Sequence, residues 1–124
     1  MTPKEIASVC HEANRAITAV TKDVPLQPPW IDAPEEMIRS SVQGVVWRMD
    51  HPTAPASAQH DEWMRSKIAD GWTLGETKDS QLKTHPALVP YEQLAPGVKA
   101  KDSVFTAIVL ALAGVASQRG PCRQ

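Results

Sequence analysis

Residues 60–75 read HDEWMRSKIADGWTLG, and the character of the chain changes within this stretch. Met64 and Ile68 are apolar and four residues apart, which is the spacing of one helix face, and the pattern favours a helix from about residue 56 to residue 70. Gly71 stands where a left-handed residue closes a helix. From Trp72 onward the helical period is lost. The stretch therefore predicts a helix that ends and an irregular segment that begins.

The irregular segment continues to about residue 93. It contains Gly75, Pro86 and Pro90, and its short apolar piece Leu88-Val89 fits either a brief strand or an ordered loop. Twenty residues without regular structure are unusual inside a compact domain, and such segments often carry function.

Three further helices are predicted on the two sides of this region. The first begins at Thr2-Pro3-Lys4-Glu5, which combines a capping threonine, a proline at the first helical position and a glutamate three residues after the cap. The second is expected to begin at Asp32, and the last begins after Pro96-Gly97. The expected core faces are Ile6, Val9, Cys10, Ala13, Ile17 and Val20; Met37, Ile38, Val42, Val45, Val46 and Met49; and Val104, Phe105, Ile108, Val109 and Leu112.

Together these elements predict a mainly α fold. It is a small helical domain of about four helices, with a short irregular or β-like segment between the last two. Trp72 is expected to pack in the core and hold the loop against the helices. We divide the chain into an N-terminal helical extension at residues 1–55, a module at residues 56–116 and a flexible polar tail at residues 117–124.

The composition of the chain fits one globular domain, with 124 residues, 42% of them hydrophobic and 22% charged. A formal net charge of -1 without a concentrated basic face argues against duplex nucleic acid as a partner. Cys10 and Cys122 resemble free thiols of a reducing compartment. The longest apolar stretch, residues 104–116, is shorter than the ~20 residues of a membrane-spanning helix. We expect a cytoplasmic protein without a membrane partner.

Motifs for catalysis are missing from the sequence. The sequence contains four scattered histidines, His11, His51, His60 and His85. None of them has the spacing from a cysteine that zinc ligands show. No phosphate-binding loop, dinucleotide-binding glycine fingerprint or nucleophile elbow occurs. We therefore predict no metal and no cofactor, and we expect a binding protein rather than an enzyme.

Several short motifs follow one another between residues 59 and 112. They are H-x-x-W-M from His60, K-x-x-x-G-W-x-x-G from Lys67, K-D at Lys78 and K-T-H-P-x-L-V-P-Y from Lys83. Their order and spacing resemble the ryanodine receptor repeat (RyR) domain, which occurs in pairs in the large calcium-release channels and singly in short bacterial and phage proteins. The resemblance implies a compact helical module with a short irregular or β-like segment and no known catalytic residues.

The resemblance also implies a place for a ligand. In the receptors, nucleotide is associated with the cleft between two repeats, where the Trp of the H-x-x-W element can stack on a purine. Trp63 stands at that position here. Because this chain carries one copy of the repeat, its sequence lacks the second repeat that would form the other wall of such a cleft. We expect a symmetric homodimer that recreates the pair, with the N-terminal helices as the alternative source of the wall.

The candidate ligand-binding residues are Trp63, Lys67, Lys78, Lys83, His85 and Tyr91. Trp63 and Lys67 are four residues apart and share a helix face, so the ring could stack on a base while the ammonium contacts a phosphate. The alternative is a half-buried packing Trp beside a Lys that extends to solvent. The loop lysines and His85 would face the phosphates, unless they are simply solvated. Asp79 and Thr84 are expected to fix turns.

The leading hypothesis is a non-enzymatic binding module of the RyR type that recognises a small anionic ligand, a purine nucleotide. The alternative is a protein-interaction module without a small ligand, with Trp30, Trp47 or the loop as its contact surface. An enzyme acting on nucleotides ranks third.

Overall fold

Over the residues that the structure describes, the fold is mainly helical, with four helices as predicted and two very short strands between the last two. The computed structural model of the chain describes residues 1–114. In chain order the elements are α1 (Pro3–Thr21), a 3-10 turn (Trp30–Asp32), α2 (Glu35–Asp50), α3 (Ala56–Ala69), β1 (Thr73–Leu74), β2 (Thr84–His85), a second 3-10 turn (Tyr91–Gln93) and α4 (Pro96–Leu112). The predicted tail at residues 117–124, which includes Cys122, lies outside the described residues. Over residues 1–114, no helix combines the length and the hydrophobicity that crossing a membrane requires.

The start of α1 is the predicted one. The Thr2 side chain accepts a hydrogen bond from the Glu5 backbone N–H at 3.1 Å, and the Glu5 carboxylate accepts one from the Thr2 backbone N–H at 2.7 Å. This reciprocal capping box satisfies two of the backbone donors that a helix start leaves without an intrahelical partner.

The second helix begins later than predicted. Asp32 ends the first 3-10 turn, and α2 starts at Glu35 with Pro34 in the capping position. The reason is that a proline disfavours the helical conformation of the residue before it. Ala33 is accordingly extended, with φ of -67° and ψ of 138°. The expectation that this helix begins at Asp32 was wrong.

The core lies where α1, α2 and α4 meet, and α3 contacts α2, α4 and the second 3-10 turn. The buried cluster of this core consists of Ile6, Ala7, Cys10, Val45 and Val109. Trp72 is also buried, as expected. Six residues of the expected apolar faces are exposed instead, namely Val9, Val20, Val46, Ile68, Val104 and Leu112. Val20, Ile68 and Leu112 lie in the last turns of their helices.

The segment between α3 and α4 is β-like, as predicted, and held at several points. Strands β1 and β2 pair in parallel, with Thr73 opposite Thr84. Asp79 Oδ1 accepts hydrogen bonds from the backbone amides of Gln81 and Leu82. Thr84 Oγ1 donates to the Thr77 carbonyl at 2.9 Å. A Cβ on Gly75 would lie 2.6 Å from Thr84 Cβ, so only glycine fits this approach of the two strands. The positive φ of 93° at Gly71 confirms its helix-closing role.

Candidate functional site

A cleft of about 200 Å³ is lined by residues of all four helices and of the segment between β1 and β2. We call it the Trp63 cleft. Two groups of side chains give it its chemical character. The first, named the cationic group after its two lysines, consists of Trp63, Lys67, Lys78 and His85. The neutral group consists of Asn14, Gln27, Ser40 and Ser41. Apolar side chains such as Ile17 and Phe105 line the remainder.

The structure brings together four of the candidate ligand-binding residues, which are the members of the cationic group. It places the other two elsewhere. Lys83 donates through Nζ to the Asp70 carbonyl at 2.8 Å and does not line the cleft. The Tyr91 ring lies 5.0 Å from Lys99 Nζ and contacts His60 edge-on, also away from the cleft.

The orientation of the Trp63 indole is set by two histidines. His60 stacks against it with ring centroids 5.5 Å apart, and His85 meets it edge-on at 4.9 Å. His60 is itself fixed, because its Nε2 donates a hydrogen bond to the Val89 carbonyl at 2.7 Å. Trp63 is half-buried, so part of the indole remains available in the cleft. The aromatic surface is therefore held in place before any ligand arrives.

His85 is a neutral hydrogen-bond donor at ordinary pH. Its Nδ1 accepts a hydrogen bond from the Ala87 backbone N–H at 3.0 Å, which assigns the proton of the neutral ring to Nε2. Burial, with the charges of Lys78 and Lys67, lowers the pKa of His85 to about 4. No residue from 1 to 114 accepts a hydrogen bond from Nε2. The ring thus has a free N–H in a cationic setting.

Carboxylates influence the charges of Lys67 and Lys78, Glu36 for both and Asp70 for Lys67, but from farther away than an ion pair allows. Within the described part of the chain neither forms an ion pair, and Lys67 Nζ lies 4.7 Å from the centroid of the Trp72 ring. Burial lowers the pKa of both, and for Lys78 the charge of Lys67 lowers it further. Lys78 is exposed when its whole surface is considered, but its ammonium is surrounded closely enough for burial to lower its pKa. Lys101, which also lines the cleft, is instead paired with Asp23 at 3.0 Å.

The neutral group was missed by reasoning from the sequence. Over residues 1–114 no hydrogen bond engages the hydroxyls of Ser40 and Ser41 or the side-chain amide of Gln27. Asn14 Oδ1 accepts one hydrogen bond from Thr18 at 3.2 Å, which leaves the amide N–H donors unused. A signal was present, because Ser40 and Ser41 follow Met37 at three- and four-residue spacing and so interrupt the apolar face of α2. In the same part of the chain, no three His, Cys, Asp or Glu side chains are grouped so as to hold a metal ion.

The fold and this cleft define a small helical module whose aromatic and cationic side chains line an open site. The family model of the RyR domain matches residues 40–112. Because the match covers more than half of the 124 residues, the chain belongs to the RyR domain family. The matched range contains the whole cationic group together with Ser40 and Ser41, whereas Asn14 and Gln27 precede it.

Proposed function

We propose that the chain is a non-enzymatic binding module that recognises a small anionic ligand, a purine nucleotide, in the Trp63 cleft. One observation carries the proposal: Trp63 lines the same cleft as two ammonium groups without a carboxylate partner and a histidine with a free N–H. A stacking surface beside cations that form no ion pair within the described residues is complementary to a base joined to a phosphate.

Stacking, charged hydrogen bonds and the fixed orientation of Trp63 would all contribute to the free energy of nucleotide binding. Stacking of a base on an aromatic side chain is worth ~1–3 kcal/mol and tolerates different bases. Hydrogen bonds to charged groups are roughly twice as strong as neutral ones. Because His60 and His85 already hold the indole, little ordering entropy remains to be lost when the ligand binds.

The cleft draws its lining from α1 and α2 as well as from α3 and β2, so the N-terminal helices supply what a second repeat would supply. The symmetric homodimer stays a prediction, and ligand binding in this cleft does not require it. We infer a cytoplasmic setting, which agrees with the free and buried thiol of Cys10.

The alternative function, a protein-interaction module, has its own supporting observation. Leu74 and Leu82 in the segment between α3 and α4 are more than half exposed, as is Ile68 in the last turn of α3. Trp30 and Trp47 support it less, because both are half-buried and Trp30 packs against the core cluster.

Isothermal titration calorimetry with ATP, ADP and a cyclic nucleotide tests the proposal. We expect Trp63→Ala to weaken binding by about tenfold or more, which is a loss of at least ~1.4 kcal/mol of binding free energy. Trp47→Ala is the matched control, because Trp47 is also half-buried on a helix but lies outside the cleft. It should leave the affinity unchanged. Equal binding by wild type and Trp63→Ala would move the site elsewhere. No binding by wild type would favour the interaction module.

A further inference from the structure

A second cleft adjoins the Trp63 cleft. It has a volume of about 190 Å³ and lies between α2 and α3. Ser40 and Lys67 line both clefts, so a ligand group that extends past Lys67 would enter the second one. The charged residues it would meet there are Glu36, Arg39 and Asp70. The second cleft therefore adds two carboxylates and one guanidinium to the surroundings of the shared lysine.

The charges of the second cleft act at Lys67. Burial lowers the pKa of Lys67; the charges of Glu36 and Asp70 oppose this shift, and the charge of Arg39 adds to it. Glu36 likewise opposes the lowering of the Lys78 pKa, which burial and Lys67 cause. Apart from Lys67, the second cleft thus carries a small excess of negative charge, and Glu36 is close enough to both ammonium groups to influence them. A further anionic group of the ligand would face like charge at this place, which is how many sites reject a wrong ligand.

The Trp63 cleft by itself is suited to one phosphate. Its cations without a carboxylate partner are Lys67 and Lys78, and His85 adds a neutral donor. Two positive charges match the charge of a single phosphate monoester, which is ~-1.5 to -2 at neutral pH. The neutral group, with its unused hydroxyls and amides, offers hydrogen bonds to an uncharged part such as a sugar.

Building on the proposed function, we propose that the site selects a nucleotide with a single phosphate and that Glu36, assisted by Asp70, discriminates against a second and third phosphate. The phosphate contacts Lys67, Lys78 and the Nε2–H of His85. The base contacts Trp63, and the sugar contacts the neutral group. Glu36 is a specificity-determining residue that acts through repulsion and needs no contact with the preferred ligand.

Calorimetry without magnesium tests this, because the cation would neutralise the additional phosphates. The titrants are AMP, ADP, ATP, adenosine and inorganic phosphate. We expect wild type to bind AMP more tightly than ATP, and adenosine or inorganic phosphate at least about tenfold more weakly than AMP. Glu36→Gln should narrow the preference for AMP over ATP by about three- to fivefold, as one carboxylate near two extra charges would give under partial screening.

Glu35→Gln is the matched control, because Glu35 is the exposed neighbour of Glu36 and lines neither cleft. It removes the same charge and should leave the preference unchanged. Tighter binding of ATP than of AMP by wild type would overturn the inference while leaving nucleotide recognition intact. Equal effects of the two substitutions would remove Glu36 as the discriminating residue. Binding of inorganic phosphate as tight as that of AMP would identify a phosphate site, and no binding of any adenine compound would overturn the proposed function itself.

Discussion

Arg48 and the pair Lys67 and Lys78 are cations without a carboxylate partner in the described part of the chain, but their surroundings differ. Arg48 is 1% exposed. Its Nε donates to Gln59 Oε1 at 2.8 Å, and its Nη1 donates to the carbonyls of His51 and Ala54 at 3.0 and 2.7 Å. Lys67 and Lys78 have no such acceptors and line an open cleft.

The difference separates a structural cation from one available to a ligand. Neutral oxygens of α3 and of the turn before it accept from Nε and Nη1 of Arg48, whereas Nη2 is buried without a partner among the described residues. Gln59 is itself anchored by donating to the Gly44 carbonyl at 3.0 Å. Its hydrogen bonds therefore stabilise the connection of the two helices. The two lysines lose hydration through burial and, within the described residues, donate no hydrogen bond and form no ion pair, so an external anion would supply that interaction. Access and the lack of a protein hydrogen-bond acceptor, rather than charge alone, make Lys67 and Lys78 candidates for contact with a ligand.

The largest effect is expected for Arg48→Met. The substitution leaves the Gln59 side chain and two backbone carbonyls without their donor, so the free energy of unfolding should fall by ~3 kcal/mol or more. Urea denaturation measures it. Arg39→Met, at an exposed position on the same helix, should change stability by less than ~0.5 kcal/mol. Similar values for the two variants would contradict the structural role of Arg48.

A smaller and opposite effect is expected for Lys78→Met without ligand. Because burial and the Lys67 charge both disfavour the Lys78 ammonium, its removal should leave the free energy of unfolding unchanged or raise it by up to ~1 kcal/mol. The same variant should bind AMP about tenfold more weakly. Lys4→Met, on an exposed face of α1, is the control for both measurements. A clear loss of stability would show that Lys78 is structural like Arg48.

A third effect concerns the pH dependence of stability. The folded-state pKa of His85 is about 4, below the ordinary value of 6.5. Between these values the unfolded chain binds a proton that the folded chain does not, so this contribution to stability is complete above pH 6.5 and is lost as the pH falls towards 4. His85→Asn, which keeps an acceptor for the Ala87 amide, should give a shallower decline in melting temperature over this range. Parallel curves for the two proteins would show that His85 is not held neutral.

The sequence predicted those parts of the fold that local rules determine. The cap at Thr2 and the helix closure at Gly71 depend on a few adjacent residues, and both were confirmed. The start at Asp32 was predicted wrongly, since the helix-starting pattern competed with the restriction that Pro34 imposes on Ala33. Which apolar residues become exposed depends on where neighbouring helices end, and no local pattern contains that information.

The prediction of the candidate site was likewise successful only where local spacing determines the position of a side chain. Trp63 and Lys67 share a helix face by spacing alone, and both line the cleft. Lys83 and Tyr91 could not be separated from His85 by spacing, because a segment without a regular period does not determine where its side chains point. The neutral group comes from α1, α2 and the segment between them, far from α3 in sequence, so only tertiary packing brings Asn14 and Ser41 to the cleft.

The contribution of α1 to the core has a consequence for how this module can be moved between proteins. Ile6, Ala7 and Cys10 make up most of the buried cluster that covers Val45 and Val109, yet they precede the family-matched residues 40–112. A fragment cut at the boundaries of the match would present that apolar surface to water and lose its closest packing. A fusion protein or gene rearrangement that transplants residues 40–112 must therefore bring α1 with them or provide another helix with the same apolar face.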